Sequence, residues 1–354
     1  MGKGETGRMV LGAPQMEIKK EAAKKILVVC LDNLGDMVMS TCLIEPIKRS
    51  SPKTQLFYWV KKNFVEMLEN DPLIDGIIGG NPFWTGALNW SSGSLMDYFK
   101  TLAAIKKKKF DKAIIVNSCW RKALSLLSVP ERVGVDQKKS KLFLSSCISD
   151  KKISEGERGY AFKLLLKAIG CGVEDISARL VVPNSENSFI KEFAEKHDLF
   201  GRNIFIFHVF SADRKRDWPI DNYKFLAAEI LKEYPASKII VVYGKGEKER
   251  LFKVFGNNEN VVLTSLTLAQ DVVVFSKSSV FIGPDSGPMH LASGVGLPII
   301  SFFSAAQNPS WKTGPMGISN KTLIDIDDLN KLTAEEIFNK VALIQKHWKD
   351  RIWK

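Results

Sequence analysis

Residues 26–31 read Ile-Leu-Val-Val-Cys-Leu, with no polar side chain on either face. A strand that is apolar on both faces has to be covered on both, and parallel sheets flanked by helices provide that cover. Runs that are apolar but for one or two polar residues, most often the first, return at residues 55–60, 112–116, 203–210, 238–243, 279–283 and 297–303. After the first run comes a turn, Asp32-Asn33-Leu34-Gly35-Asp36, then a helical stretch over residues 37–50 with Val38, Cys42 and Ile47 among its apolar positions, then the second run. Strand, helix, strand is the unit of an open α/β sheet. Weaker patterns predict short strands at 76–78, 132–135 and 260–263, helices at 62–70, 95–108 and 160–169, and a loop at 81–93.

The chain has 354 residues, long for one ordinary domain. Val181-Val182-Pro183-Asn184 marks a boundary, after which the alternation restarts. The expected organisation is therefore a Gly-rich, then charged, flexible leader over 1–23, an α/β domain over 24–183 and a second over 184–354. In the second, Pro219 opens a helix, and a capping box, Thr333 with Glu336, opens the terminal one. Ligands of such sheets bind beyond the carboxyl ends of the strands, here in the cleft between the halves.

The net charge of +12 is uneven. Residues 1–180 hold 29 Lys and Arg against 19 Asp and Glu, and the remainder 22 against 20. The first half thus suits an anionic partner: a phosphorylated glycolipid, an anionic membrane face or nucleic acid, if the charge is not simply a solvated surface. No nucleic-acid-reading motif is present, so nucleic acid is not expected. Cys30, Cys42, Cys119, Cys147 and Cys171 show no paired spacing, as in a reduced compartment. No apolar run reaches the roughly 18 residues that cross a bilayer, and residues 1–17 lack an apolar signal core. The expectation is a cytoplasmic protein, with peripheral contact at the inner-membrane face left open by the charge.

The string from Phe281 to Ala292 carries the strongest chemical signal. An apolar strand ends in Gly283-Pro284, and Asp285-Ser286-Gly287 then starts a helix. Asp and Ser cap helices, Gly287 clears room for a ligand, and the positive helix end favours phosphate. Arg214, Lys215 and Arg216 follow another strand, and a guanidinium there can grip a diphosphate through paired hydrogen bonds. Ser211 precedes them, and Glu247 follows the strand that ends at Tyr243. His290 fits either a diphosphate contact or a structural role, and Glu247 either a ribose contact or a helix start. His208, in an apolar strand, reads as core. Asp36 is either a base facing the cleft or the cap of the next helix; Asp32 reads as structural. The run Lys106, Lys107, Lys108, Lys109 is a solvated helix end or an acceptor site. No His or Cys spacing predicts a metal, and no phosphate-loop motif predicts ATP hydrolysis.

Gly283-Pro284-Asp285-Ser286-Gly287-Pro288-Met289-His290-Leu291-Ala292 resembles the donor-binding signature of glycosyltransferase family 9, the bacterial lipopolysaccharide heptosyltransferases. Four more segments match in order: the strand and Gly35-Asp36 turn, Lys48 to Pro52, Arg214 to Pro219, and Val242 to Glu247; a closing loop, Phe303 to Pro315, is similar too. The resemblance spans roughly residues 25–345. It departs at Ser304-Ala305-Ala306, at Arg216 in place of Lys, and at Cys42 in place of Pro.

What the resemblance implies is a GT-B fold, two doubly wound Rossmann-like domains facing across a cleft. It implies an inverting, metal-independent transferase without a cofactor that moves heptose from ADP-heptose to a lipopolysaccharide-core acceptor. Asp36 would be its base. Ser211, Arg214, Arg216, Glu247, Asp285, Ser286, Gly287 and His290 would hold the donor. A nucleotide-sugar epimerase of the same fold and a non-catalytic nucleotide-sugar-binding protein are the alternatives.

Overall fold

The computed structural model describes residues 25–84, 94–149, 158–173, 176–183, 186–256, 258–317 and 320–354. The leader and residues 85–93 of the expected loop lie outside them. Six strands form the first sheet: β1 (Lys25–Cys30), β2 (Gln55–Val60), β3 (Gly76–Gly79), β4 (Lys112–Ile115), β5 (Glu131–Val135) and β6 (Ser146–Ile148). Six form the second: β7 (Asn203–His208), β8 (Ser237–Val242), β9 (Val261–Thr264), β10 (Val280–Pro284), β11 (Ile299–Ser304) and β12 (Lys321–Ile326). Every pairing is parallel, and the orders are β3-β2-β1-β4-β5-β6 and β12-β11-β10-β7-β8-β9. Relative to its own first strand, each sheet has the doubly wound order 3-2-1-4-5-6, with its switch point between strands one and four.

The central strands are buried as their composition demands; Leu27, Val28 and Val29 have no exposed surface. The sequence reading missed β6 and β12. Both are edge strands; one has three residues, and the other, Lys-Thr-Leu-Ile-Asp-Ile, interleaves polar with apolar positions. The predicted helix over 37–50 is in fact α1 (Leu34–Ser40), a 3-10 turn (Thr41–Leu43) and α2 (Ile44–Ser50). Asn33, extended at φ −82°, caps α1, so Gly35 and Asp36 belong to its first turn rather than to the loop before it. The break follows from Pro46, which has no N–H to give the carbonyl of Cys42 and crowds it.

The remaining helices are α3 (Leu95–Lys108), α4 (Trp120–Leu124), α5 (Arg158–Ala168), α6 (Asn187–His197), α7 (Ile220–Glu233), α8 (Lys248–Phe255), α9 (Leu268–Lys277), α10 (Gly287–Gly294), α11 (Ser310–Thr313), α12 (Ala334–Leu343) and α13 (Gln345–Trp348). Among the described residues no helix is long and apolar enough to cross a membrane.

The two halves share an apolar core. One buried cluster joins Val38, Met39 and Leu43 of the first half to Met289, Leu291 and Ala292 of the second. Its centre is the contact of α1 with α10, made close by glycines. A Cβ on Gly35 would lie 2.6 Å from Cδ2 of His290, and one on Gly287 would lie 2.9 Å from Cδ2 of Leu34. The connecting segment reinforces the contact. Arg179 pairs with Glu45 at 2.6 Å and with Asp71 at 3.2 Å in the first half, while Leu180 donates its N–H to the carbonyl of Gly294 at 2.7 Å in the second.

Gly35→Ala therefore makes either α1 or the His290 ring shift, because a Cβ there would lie 2.6 Å from the ring. Overpacking of this kind costs about 1–3 kcal/mol. A melting temperature lowered by several degrees is expected, and an unchanged melting curve would show that the contact is looser than it looks.

Candidate active site

The two switch points face each other across the cleft. After β1 comes α1, with Asp36 at its third position. Asp36 Oδ2 accepts the N–H of Asn33 at 3.2 Å, and Oδ1 accepts a hydrogen from Nδ2 of Asn117 at 3.0 Å. Asn117 follows β4 in the left-handed region at φ 46°, a conformation that asparagine tolerates better than most residues. Its carbonyl is held at 2.9 Å by Nζ of Lys122, a buried cation that also reaches the carbonyl of Val116 at 3.1 Å and Oδ2 of Asp32 at 2.5 Å. Burial pushes the Asp32 carboxyl above its ordinary range, and the Lys122 ammonium beside it pulls the other way. Asp36 thus caps its helix, as one reading of the sequence had it, and also points a carboxylate at the cleft. Asn117 and Lys122 were missed. The only local signal was an Asn directly after a buried strand.

Opposite stands the end of β10. Asp285 Oδ2 accepts a hydrogen from Nη1 of Arg216 at 3.0 Å; both are largely buried. The Nε of Arg216 is buried without a hydrogen-bond partner. So is the hydroxyl of Ser286, which sits at the N-cap of α10 without capping it. Buried polar atoms left unsatisfied are uncommon, and an ordered water or a bound ligand can satisfy them. Beyond Ser286 the positive end of α10 opens at Gly287.

A cavity of about 390 Å³ brings these groups together. Asn33, Gly35 and Asp36 line it from the first half, and Arg216, Asp285, Ser286, Gly287 and His290 from the second. A second cavity, of about 470 Å³, lies wholly in the first half. Its lining includes Lys61, Arg121, Lys122 and Lys138 with Trp84 and Trp120. Asn33 and Asp36 line both cavities.

Ser211, Arg214 and Glu247 were expected beside Arg216 but do not line either cavity. They build the loop wall. Arg214 reaches Asp217 at 3.2 Å and Glu247 at 2.8 Å and stacks on Phe210 at 4.5 Å. Glu247 also accepts the N–H of Gly244 at 2.8 Å, and the Ser211 hydroxyl donates to the carbonyl of Asp213 at 2.5 Å. His208 is buried at the end of β7, and burial, with Arg214 nearby, lowers its imidazole to about 4. It is the neutral core residue expected.

Lys106, Lys107, Lys108 and Lys109 require a correction. They end α3 beside the start of β1, where Nζ of Lys25 reaches the carbonyl of Lys108 at 3.3 Å. Asp36 lies past the other end of that strand. In a strand-helix-strand unit the helix runs back against the strands, so a helix C-terminus falls on the edge away from the ligand. The cations that line a cavity of the first half are instead Lys61, Arg121, Lys122 and Lys138. Among the described residues no group of His, Cys, Asp and Glu is placed to hold a metal.

The family model described as "Glycosyltransferase family 9 (heptosyltransferase)" matches residues 98–342. The chain is 24% identical over 331 residues to lipopolysaccharide heptosyltransferase 1 of Campylobacter coli, covering 89% of this chain and 93% of that protein. Among solved structures, a family 9 glycosyltransferase from Veillonella parvula superposes with a TM-score of 0.79 at 17% identity, over 91% of this chain and 97% of that one. The heptosyltransferase WaaC of E. coli, solved with ADP, superposes with a TM-score of 0.73 at 15% identity, over 90% and 99%. The fold is GT-B: two Rossmann-like domains across a cleft.

Arg216→Ala removes a guanidinium that lines the same cavity as Ser286 and takes away its 3.0 Å ion pair with Asp285. A charge-assisted hydrogen bond contributes about 1.5–3 kcal/mol, so calorimetry with a nucleoside diphosphate is expected to show about tenfold to hundredfold weaker binding. Arg216→Lys keeps the charge without the fork and should recover only part of it. Equal affinities across the three proteins would reduce Arg216 to a structural partner of Asp285.

Proposed function

This chain belongs to glycosyltransferase family 9, and on that premise we propose that it moves a heptose from ADP-heptose onto a lipopolysaccharide-core acceptor with inversion at the anomeric carbon. The observation that carries the reading is the position of Asp36, which lines both a cavity shared with Arg216 and Ser286 and one lined by cations and indole rings.

The donor's diphosphate takes the Nε of Arg216, the Ser286 hydroxyl and the positive end of α10. The acceptor lies in the first-half cavity, where Lys61, Arg121 and Lys138 suit a phosphorylated or carboxylated sugar and Trp84 and Trp120 suit its ring faces. Asp36 takes the proton of the attacking hydroxyl. The hydroxyl oxygen bonds to the anomeric carbon on the face opposite the diphosphate. The bond to the diphosphate oxygen breaks, and its electron pair leaves as charge on the phosphate that Arg216 and the helix end stabilise. Asn117, held by Lys122, keeps the Asp36 carboxylate oriented. An epimerase works on one sugar nucleotide and has no need of the second cavity, so the two-cavity arrangement favours transfer.

Asp36→Asn preserves size and one acceptor oxygen while removing the base. Transfer is expected to fall by about 100-fold or more, with calorimetric affinity for the nucleoside diphosphate within about twofold of the parent. A mutant retaining a tenth of the parental rate would place the base elsewhere.

The cations that offset leaving-group charge here are protein groups. Turnover is therefore expected to persist in excess chelator, and its loss and restoration by magnesium would contradict that assignment.

A further inference from the structure

The layer of the first half that covers one face of its sheet is apolar on both sides. Inward, Ile105 of α3, Ala123 of α4, Leu126 and Val129 pack on Leu27, Val29 and Ile115, with Phe143 and Leu144 beside them. Outward, α3 shows Leu95, Met96 and Phe99 to solvent, with Met96 67% and Phe99 62% exposed. The segment from α4 onward shows Trp120 and Leu124, one helical turn apart, and then Leu127 in the turn that follows.

These two stretches are neighbours. The Tyr98 hydroxyl bonds the Ser125 hydroxyl at 2.7 Å, and the Trp120 N–H reaches the carbonyl of Lys138 at 3.2 Å. The latter joins them to the turn at Ser140–Leu142, where Leu142 is 77% exposed. Scattered exposed apolar residues are ordinary, but three adjacent groups on one layer are not. The rim is basic: Lys100, Arg121, Lys138, Lys139 and Lys141 are all exposed. Asp97, the carboxylate within α3, is already paired with Lys62 at 2.8 Å.

We propose that this face is the surface by which the protein docks on an anionic lipid bilayer. Apolar side chains ringed by Lys and Arg have the composition of an interfacial element, in which the apolar groups enter the headgroup boundary and the cations meet lipid phosphates. The basic rim disfavours a second copy of the same face, since like charges would meet. The position is also apt. Trp120, Arg121 and Lys138 belong both to this face and to the wall of the first-half cavity. A lipid-linked acceptor held in the bilayer would enter that cavity directly. This last step rests on the transfer reading; the docking itself does not.

The test is co-sedimentation of the full chain with vesicles of phosphatidylethanolamine containing about a quarter phosphatidylglycerol, against vesicles of phosphatidylcholine alone. The parent is expected to partition onto the anionic vesicles about tenfold more strongly than onto the neutral ones. The double variant Phe99→Glu, Leu127→Glu is expected to lose about tenfold or more of that partition, with its melting temperature and nucleoside diphosphate affinity unchanged. The pair Lys106→Glu, Lys107→Glu, at the far edge of the sheet, is expected to bind vesicles as the parent does. A parent that stays in the supernatant, or equal partition by the parent and the Phe99→Glu, Leu127→Glu variant, overturns the proposal. So does a loss of equal size in the Lys106→Glu, Lys107→Glu pair. Sedimentation needs no turnover. A chain that binds vesicles but transfers nothing fails the transfer reading alone, and one that glycosylates a water-soluble acceptor but ignores vesicles fails this one alone.

Discussion

The close approach of α1 to α10 sets the geometry of everything in the cleft. Two open sheets can each present a switch point, but chemistry between them needs the two points to meet at a fixed separation. Here the separation is fixed by missing side chains. Gly35 lets the first helix lie on the His290 ring, and Gly287 lets the second accept Leu34. Neither glycine has a positive φ, so neither is required by the backbone; the constraint is space alone. Asp36 stands one residue from the first contact and Ser286 one residue from the second. The proposed base and the proposed phosphate site are therefore positioned by the same packing contact that joins the halves.

The fold was legible because buried parallel strands have to be apolar on both faces, and nearly every central strand announced itself that way. What was lost lay at the edges, where strands are short or alternate. The site was legible in part. Asp36, Arg216 and the Asp285–His290 string were recognisable as local motifs, and the structure brings them around one cavity. Asn117 and Lys122 were not, because they act on Asp36 and Asp32 from the end of β4, 81 and 90 residues away in the chain. No local pattern records which strand lies beside β1. The Lys106–Lys109 run failed for a related reason. Charge can be counted along a sequence, but which edge of the sheet receives it depends on the direction of the helix that carries it.

The cations of the second half divide into two sets with different work. Arg214 is tied up by Asp217, Glu247 and the Phe210 ring, so its charge is largely spent on holding the loop. Arg216 uses one nitrogen on Asp285 and keeps Nε buried and unsatisfied. The two residues are two positions apart in a 3-10 turn, and the sequence analysis assigned both to the donor. The difference arises because the turn points one side chain back at the end of β8 and the other into the cleft.

An unsatisfied buried donor costs about 1–3 kcal/mol in the empty protein. The residues that carry two of them, Arg216 with its Nε and Ser286 with its Oγ, line the same cavity. Filling the cavity with an anion removes that cost and adds a charge-assisted bond, so part of the binding free energy comes from relieving the empty state. The first-half cavity differs. Its most buried cation, Lys122, already has three oxygen partners, and of its other cations Arg121 and Lys138 are exposed and Lys61 half-buried. A ligand there gains new contacts without relieving an old deficit, and it competes with water for them. Such a site favours a ligand delivered at high local concentration over one captured from dilute solution. A cavity that opens beside an exposed apolar, basic-rimmed face has the arrangement that such delivery needs.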